Sequence, residues 1–217
     1  RPVADGDLVP SDPLAAVAGG SAAGIELLCG TTSEEWRLFA LMSAGPADEE
    51  ALVRRAALVS PDAEEAVAAY RSELGDVSLA DVDGAILTDV VFRIPVIRLA
   101  DAQARHAATR QYLWTWRSGA FGGMIGAAHA IELPFVFDLV EDQRLHVFVG
   151  ADAPRDLARR THQAWVSFAR DGVPAADGLP GWPTIGAEAT RPVMVLDAEP
   201  RLADDPGAIT RRFWLDH

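Results

Sequence analysis

Among the ionisable side chains of this 217-residue chain, Glu35 and His129 sit where reactive groups are most easily assembled. An imidazole acting as a general base needs a carboxylate on its second nitrogen, which fixes the tautomer and stabilises the imidazolium that forms. Glu35 follows the apolar run Ile25-Glu26-Leu27-Leu28-Cys29, which stops at Gly30. His129 follows a second run, Tyr112 to Trp116, through a glycine-rich loop from Gly119 to Gly126. In open α/β sheets, sites form at the carboxyl ends of strands. An acid after one strand and a histidine after the next can meet there, although 94 positions separate them. Other readings stay open at this point. Thr32-x-x-Glu35 has the form of a capping box, in which Glu35 would only close a helix start for on the order of 1 kcal/mol. His129, beside Leu133 and Phe135, would equally suit a satisfied core histidine.

The pair lacks a nucleophile. No serine lies in a G-x-S-x-G elbow: only Ser21 has glycine two places before it, and Ala23 stands two places after. Ser21 also precedes Glu35 by only 14 residues, too few for a further strand and its connection. Other chemistries fall away on composition. The chain has no Lys, which removes Schiff-base and P-loop mechanisms, and no Asn, which removes a Cys-His-Asn triad. Cys29 is the single cysteine, expected as a buried inert thiol. His129-x-x-Glu132 has no second histidine at ligand spacing, so no metal is expected, and no cofactor.

The elements that would position the pair can be read from periodicity. Residues 1–24 read as an extended lead-in. Residues 25–29 read as a buried strand, and a helix is expected from Thr32 through Trp36, Leu38 and Phe39. Helical patterns follow over 48–59, 61–74, 78–92 and 95–106, the second framed by Pro61 and Gly75. Tyr112 to Trp116 reads as a second strand, Pro154 to Arg170 as a long amphipathic helix, and Val193 to Leu196 as a short strand before a tail ending Phe213-Trp214-Leu215. The order predicts an α/β fold with few strands, a large helical insertion between two of them and a long C-terminal helix. The chain divides into the lead-in, an acid strand with its helices over 25–110, and a histidine loop, helix and tail over 111–217, all in one region.

Hydrophobic residues make up 49% of the chain, which excludes disorder. The net charge is −13, a surface that repels phosphate backbones and anionic headgroups, so neither nucleic acid nor membrane is an expected partner. The apolar runs are too short to span a bilayer, and no signal peptide is visible; the compartment is left open. Residue 1 is Arg, from which the chain is expected to start inside something longer or to have been processed.

Several segments carry a family likeness. Gly126-Ala127-Ala128-His129-Ala130-Ile131-Glu132-Leu133-Pro134-Phe135-Val136-Phe137 closely resembles the catalytic-histidine motif of type-B carboxylesterases, the family that includes cholinesterases. Gly30-Thr31-Thr32-Ser33-Glu34-Glu35 resembles that family's acid motif, in which the second acid is catalytic. Pro2-Val3-Ala4-Asp5-Gly6 is similar to the stretch before it. Thr88-Asp89 with Phe92 and Pro95, and Trp165-x-x-Phe168-Ala169-Arg170-x-Gly172-x-Pro174 with Trp182-Pro183, extend the likeness over nearly the whole chain. Two departures stand out. Trp36 replaces the glycine usual after the acid, which bears on substrate size, and Ala130 replaces the glycine common after the histidine.

The resemblance implies the C-terminal part of an α/β-hydrolase, in which the order is serine, acid, histidine. Glu35 and His129 would be catalytic, with Leu38, Phe39, Met124 and Phe135 near the substrate and Glu132 behind the histidine. The nucleophile and oxyanion-hole glycines would lie in a preceding segment. The whole would hydrolyse small-molecule carboxylic esters, this chain alone being inactive. The alternative is a non-catalytic, cholinesterase-like binding module. Expected partners are the ester substrate and the N-terminal part of the same hydrolase. A cut sheet would also expose an edge and an apolar face, through which the chain could form a homodimer.

Overall fold

The computed structural model describes residues 4–216 apart from 8, 10 and 187–189. Pro2 and Val3 of the lead-in likeness lie outside them. The remaining lead-in is not wholly extended. Asp12 accepts the Ala15 N–H at 2.8 Å, and Pro13, at a position that needs no donor, starts helix α1 (Pro13–Ala18).

Strand β1 (Leu27–Thr32) then pairs in parallel with β2 (Thr109–Trp114), Leu27 opposite Thr109 and Thr32 opposite Trp114. β2 pairs in parallel with β3 (Pro192–Leu196), and β4 (Arg201–Asp204) adds antiparallel to β3. The sheet order is β1-β2-β3-β4, which leaves β1 at an edge. Gly30 has a local reason: a β-carbon there would overlap the carbonyl and ring of Tyr112 on the neighbouring strand.

The crossover from β1 to β2 contains a short turn of helix, α2 (Arg37–Ala40), then α3 (Glu49–Ala56), α4 (Ala63–Leu74), α5 (Leu79–Thr88) and α6 (Ile94–Gln103). Asp48 caps α3 by accepting the Ala51 N–H at 2.7 Å, and Gly75 ends α4 at a φ of +73°. The two helices expected over 78–106 are joined without a break. Pro95 brings no N–H to the ladder, and the turn before it, Asp89–Arg93, widens into a π turn in which Ile94 N–H reaches Asp89 O.

After β2 come the glycine-rich turn α7 (Ala120–Gly123), α8 (Leu133–Val136), α9 (His146–Val149) and α10 (Arg155–Asp171), which ends on left-handed Gly172. Helix α11 (Ala208–Asp216) closes the chain. Hydrophobic periodicity predicts neither β4 nor α11. β4 is a mostly exposed edge with Leu202 its one large apolar residue, so it carries no hydrophobic run.

Two cores result. Tyr112, Trp114, Met194 and Leu196 face α8 and α10 together with Ile131, Phe135, Leu157 and Trp182. The helical insertion packs Leu52, Val67, Tyr70, Val82 and Ile86 among themselves and against Trp214 of α11. Buried Asp89 ties the insertion to the tail. It accepts Tyr70 Oη–H at 2.6 Å and Arg93 Nε–H at 2.8 Å, while Trp214 Nε1–H donates to Tyr70 Oη at 2.8 Å. Arg93 also donates to the carbonyls of Pro206 and Gly207 and to Thr210. Burial and the Asp89 charge both push the Tyr70 hydroxyl up, so it stays a neutral donor. Removing one member of a buried ion pair strands the other. Arg93→Leu is therefore expected to lower unfolding free energy by about 3–5 kcal/mol, measured by urea denaturation.

Candidate active site

Glu35 and His129 are brought together. Ser33 N–H still donates to Trp114 O, continuing the β1–β2 pairing by one rung, and Glu34 N–H donates to Ala127 O at 3.1 Å. These tertiary partners hold residues 33–36 in a turn, and helix starts only at Arg37 rather than at Thr32. The turn aims the Glu35 carboxylate in two directions. Oε1 accepts the Thr32 N–H at 2.7 Å, and Oε2 meets His129 Nδ1 at 2.6 Å. The capping contact and the histidine contact thus coexist, one on each oxygen. The reciprocal half of the box is absent, since buried Thr32 Oγ1 has no hydrogen-bond partner among the described residues.

Glu35 is 4% exposed, while the His129 side chain keeps 44% of its surface. In a neutral imidazole with the carboxylate as acceptor, the proton belongs on Nδ1 and the lone pair on Nε2. No partner for Nε2 occurs among the described residues. The imidazole lies against Phe92 at 5.0 Å and Phe39 at 5.7 Å between ring centroids. Phe92 comes from the π turn. Periodicity gave it no role at the site, because its placement depends on that widened turn.

The other expected site residues divide. Phe39 touches the imidazole and Trp36, whereas Leu38 packs on the sheet core. Phe135 is fully buried between Trp114 and Trp116, at 4.7 and 4.8 Å, so it stands in the core and not on an open wall as expected. Met124 is half exposed and lines a groove of about 630 Å³ with Ser33, Glu34, Arg37 and Arg117; His129 is not among the groove's lining. Glu132 is half-buried and close enough to the histidine to interact with it electrostatically. Burial raises its carboxyl above the ordinary range, helped by the nearby Glu35 charge, and its Oε2 meets no hydrogen-bond partner among the described residues. No group of three metal-ligating side chains occurs among the described residues. No helix there is long and apolar enough to cross a membrane. Burial pushes the Cys29 thiol up to about 12, which keeps it protonated at neutral pH.

A largely parallel sheet with a carboxylate and an imidazole delivered by the loops after adjacent strands is an α/β-hydrolase arrangement. The comparisons agree. The model of the carboxylesterase family matches residues 1–214, and the chain belongs to that family. It is 30% identical over 215 residues to a para-nitrobenzyl esterase of Bacillus subtilis (strain 168), covering 98% of this chain and 42% of that one. It is 31% identical over 210 residues to a phenmedipham hydrolase of Pseudarthrobacter oxydans, covering 94% of this chain and 42% of the relative. A solved carboxylesterase of Geobacillus stearothermophilus superposes with a TM-score of 0.83 at 33% identity, over 98% of this chain and 45% of that one. The chain therefore spans less than half the length of each of these proteins.

Two backbone and charge features give measurable consequences. Ala130 sits at a φ of +66°, left-handed backbone that glycine occupies without strain. Ala130→Gly is expected to raise stability by about 1 kcal/mol, seen as a higher urea midpoint. For Glu132, a carboxyl raised by folding contributes stability below its unfolded value of 4.5, and that contribution is lost as pH climbs through the higher folded value. Stability measured from pH 4 upward should carry this loss in the unsubstituted chain and lack it in Glu132→Gln.

Proposed function

We propose that the chain supplies the acid and the histidine of a serine carboxylesterase. Glu35 orients His129, and the nucleophilic serine comes from a segment not contained in these 217 residues. One observation carries this reading: the 2.6 Å contact of His129 Nδ1 with buried Glu35, which leaves Nε2 open for a serine. The esterase relatives support it, as does the chain's coverage of under half of their length.

In this reading the serine hydroxyl attacks the carbonyl carbon of a small-molecule ester while His129 Nε2 takes its proton. Glu35 stabilises the imidazolium. His129 then returns the proton to the departing alkoxide as the tetrahedral intermediate collapses to the acyl-enzyme. Water, deprotonated by the same nitrogen, hydrolyses that ester and restores the serine. Backbone N–H groups of the missing segment would hold the oxyanion. Phe39 and Phe92 would wall the imidazole, and Glu132, close behind it, would add a further polar group at its back.

The missing segment would be the principal partner. The outer side of β1 pairs with no strand among the described residues, and Leu133, which starts α8, and Phe137, which caps its end, are 47% and 62% exposed. The β1 edge would also serve a homodimer. The non-catalytic binding-module reading is less favoured, because an inert site has no need of an acid and imidazole held at bonding distance.

A fluorophosphonate probe is expected to leave the 217-residue chain unlabelled and to label a serine in the longer protein that carries Glu35 and His129. In that protein His129→Ala should lower kcat by about 10⁵–10⁶-fold and Glu35→Gln by about 10⁴-fold. Ester hydrolysis unaffected by His129→Ala would sink the assignment.

A further inference from the structure

Next to Glu35, Glu34 makes more bonds than a solvated surface acid needs. Its N–H donates to Ala127 O at 3.1 Å, and its Oε2 accepts the Ala127 N–H at 2.8 Å, so a single residue grips both backbone groups of residue 127. Oε1 accepts from Arg37 Nη1 at 3.0 Å and meets Arg117 Nη1 at 2.6 Å. Arg37 continues the grip, donating from Nε to Met124 O at 2.9 Å and from Nη2 to Gly123 O at 3.5 Å. The loop is also closed at its base, where Ser118 N–H donates to Gly126 O at 3.0 Å.

The loop needs such a fastening. Gly122, Gly123 and Gly126 all adopt positive φ, as does Phe121, and each backbone residue fixed in one conformation costs about 1–2 kcal/mol of entropy. An exposed ion pair alone would do little against that. Here the carboxylate also satisfies a backbone donor of fully buried Ala127, two residues before His129, a contact about twice as strong as a neutral hydrogen bond. Gly126 fits the same account: a β-carbon at that position would come within 2.5 Å of Glu34 Oε2 and 2.8 Å of Arg37 Cδ.

We propose that Glu34 is a positioning residue: with Arg37 and Arg117 it clamps the glycine-rich loop so that His129 arrives at Glu35 in bonding register. The proposal rests on the reading of Glu35 and His129 as a working pair. It goes beyond that reading by giving the neighbouring acid a separate task. Glu35 holds the imidazole itself, and Glu34 holds the backbone that presents it.

The test reads the imidazole directly, without any ester. Proton NMR of the 217-residue chain with ¹⁵N-labelled histidine should show a slowly exchanging His129 Nδ1–H, assigned by its absence in His129→Gln, with near-UV circular dichroism following the fold. Glu34→Ala leaves the Ala127 N–H without its acceptor, and should abolish the signal or raise its exchange rate by at least about tenfold. Glu34→Gln keeps an oxygen for that N–H and should stay within about threefold of the unsubstituted chain. Gly126→Ala, which retains every clamp side chain but intrudes on it, should behave like Glu34→Ala. An unchanged signal in folded Glu34→Ala overturns the clamp; should that variant not fold, an unchanged signal in folded Gly126→Ala overturns it. No signal in the unsubstituted chain sinks the Glu35–His129 pair, and the clamp with it. A signal indifferent to Glu34 sinks the clamp alone.

Discussion

The arrangement turns on one carboxylate whose two oxygens do different work. Glu35 Oε1 takes the N–H of Thr32, the last residue of its own strand, while Oε2 holds an imidazole from the next strand's loop. The first contact makes the second reliable. A glutamate side chain has three rotatable bonds and, free, would wander; bonded to the strand end, it is fixed relative to the sheet before His129 arrives. The parallel register then brings both loops to the same end of the sheet, because Thr32 lies opposite Trp114.

The helical insertion has a role beyond linking two parallel strands. A parallel connection needs a crossover of a dozen or more residues, and this one is several times longer. Its last continuous stretch, from α5 through the π turn to α6, carries Phe92 to the imidazole and Asp89 to the buried polar network under the tail. One irregular turn, just before Pro95, therefore serves an aromatic contact at the site and an anchor between the two cores.

Much of this was legible in the sequence, for identifiable reasons. β1, β2 and β3 announce themselves as short apolar runs, and α3, α4 and α10 through Asp48, Gly75 and Gly172 at their ends. Glu35 and His129 stood out because an acid and a histidine each followed a strand. What stayed hidden depends on tertiary contacts. The start of α2 moved because Trp114 and Ala127 took the backbone donors of residues 33 and 34. Phe92 depends on a π turn, and Phe135 looked like a site residue only because it is close to His129 in sequence. Glu34 read as the lesser member of an acid pair, since its partners Arg117 and Ala127 lie more than 80 positions away.

The contact between Glu35 and Thr32 also says where the sheet can grow. Leu27 and Ser33 donate inward to β2, so by alternation Leu28, Gly30 and Thr32 turn their peptide groups outward along the free edge of β1. The outward N–H of Thr32 is already taken. A strand docking on that edge would find the rungs at Leu28 and Gly30 and would lose its next donor at the point where the acid begins. The carboxylate that steers the histidine thus doubles as a stop at the end of the strand. It shortens the length of edge on which stray strands can template.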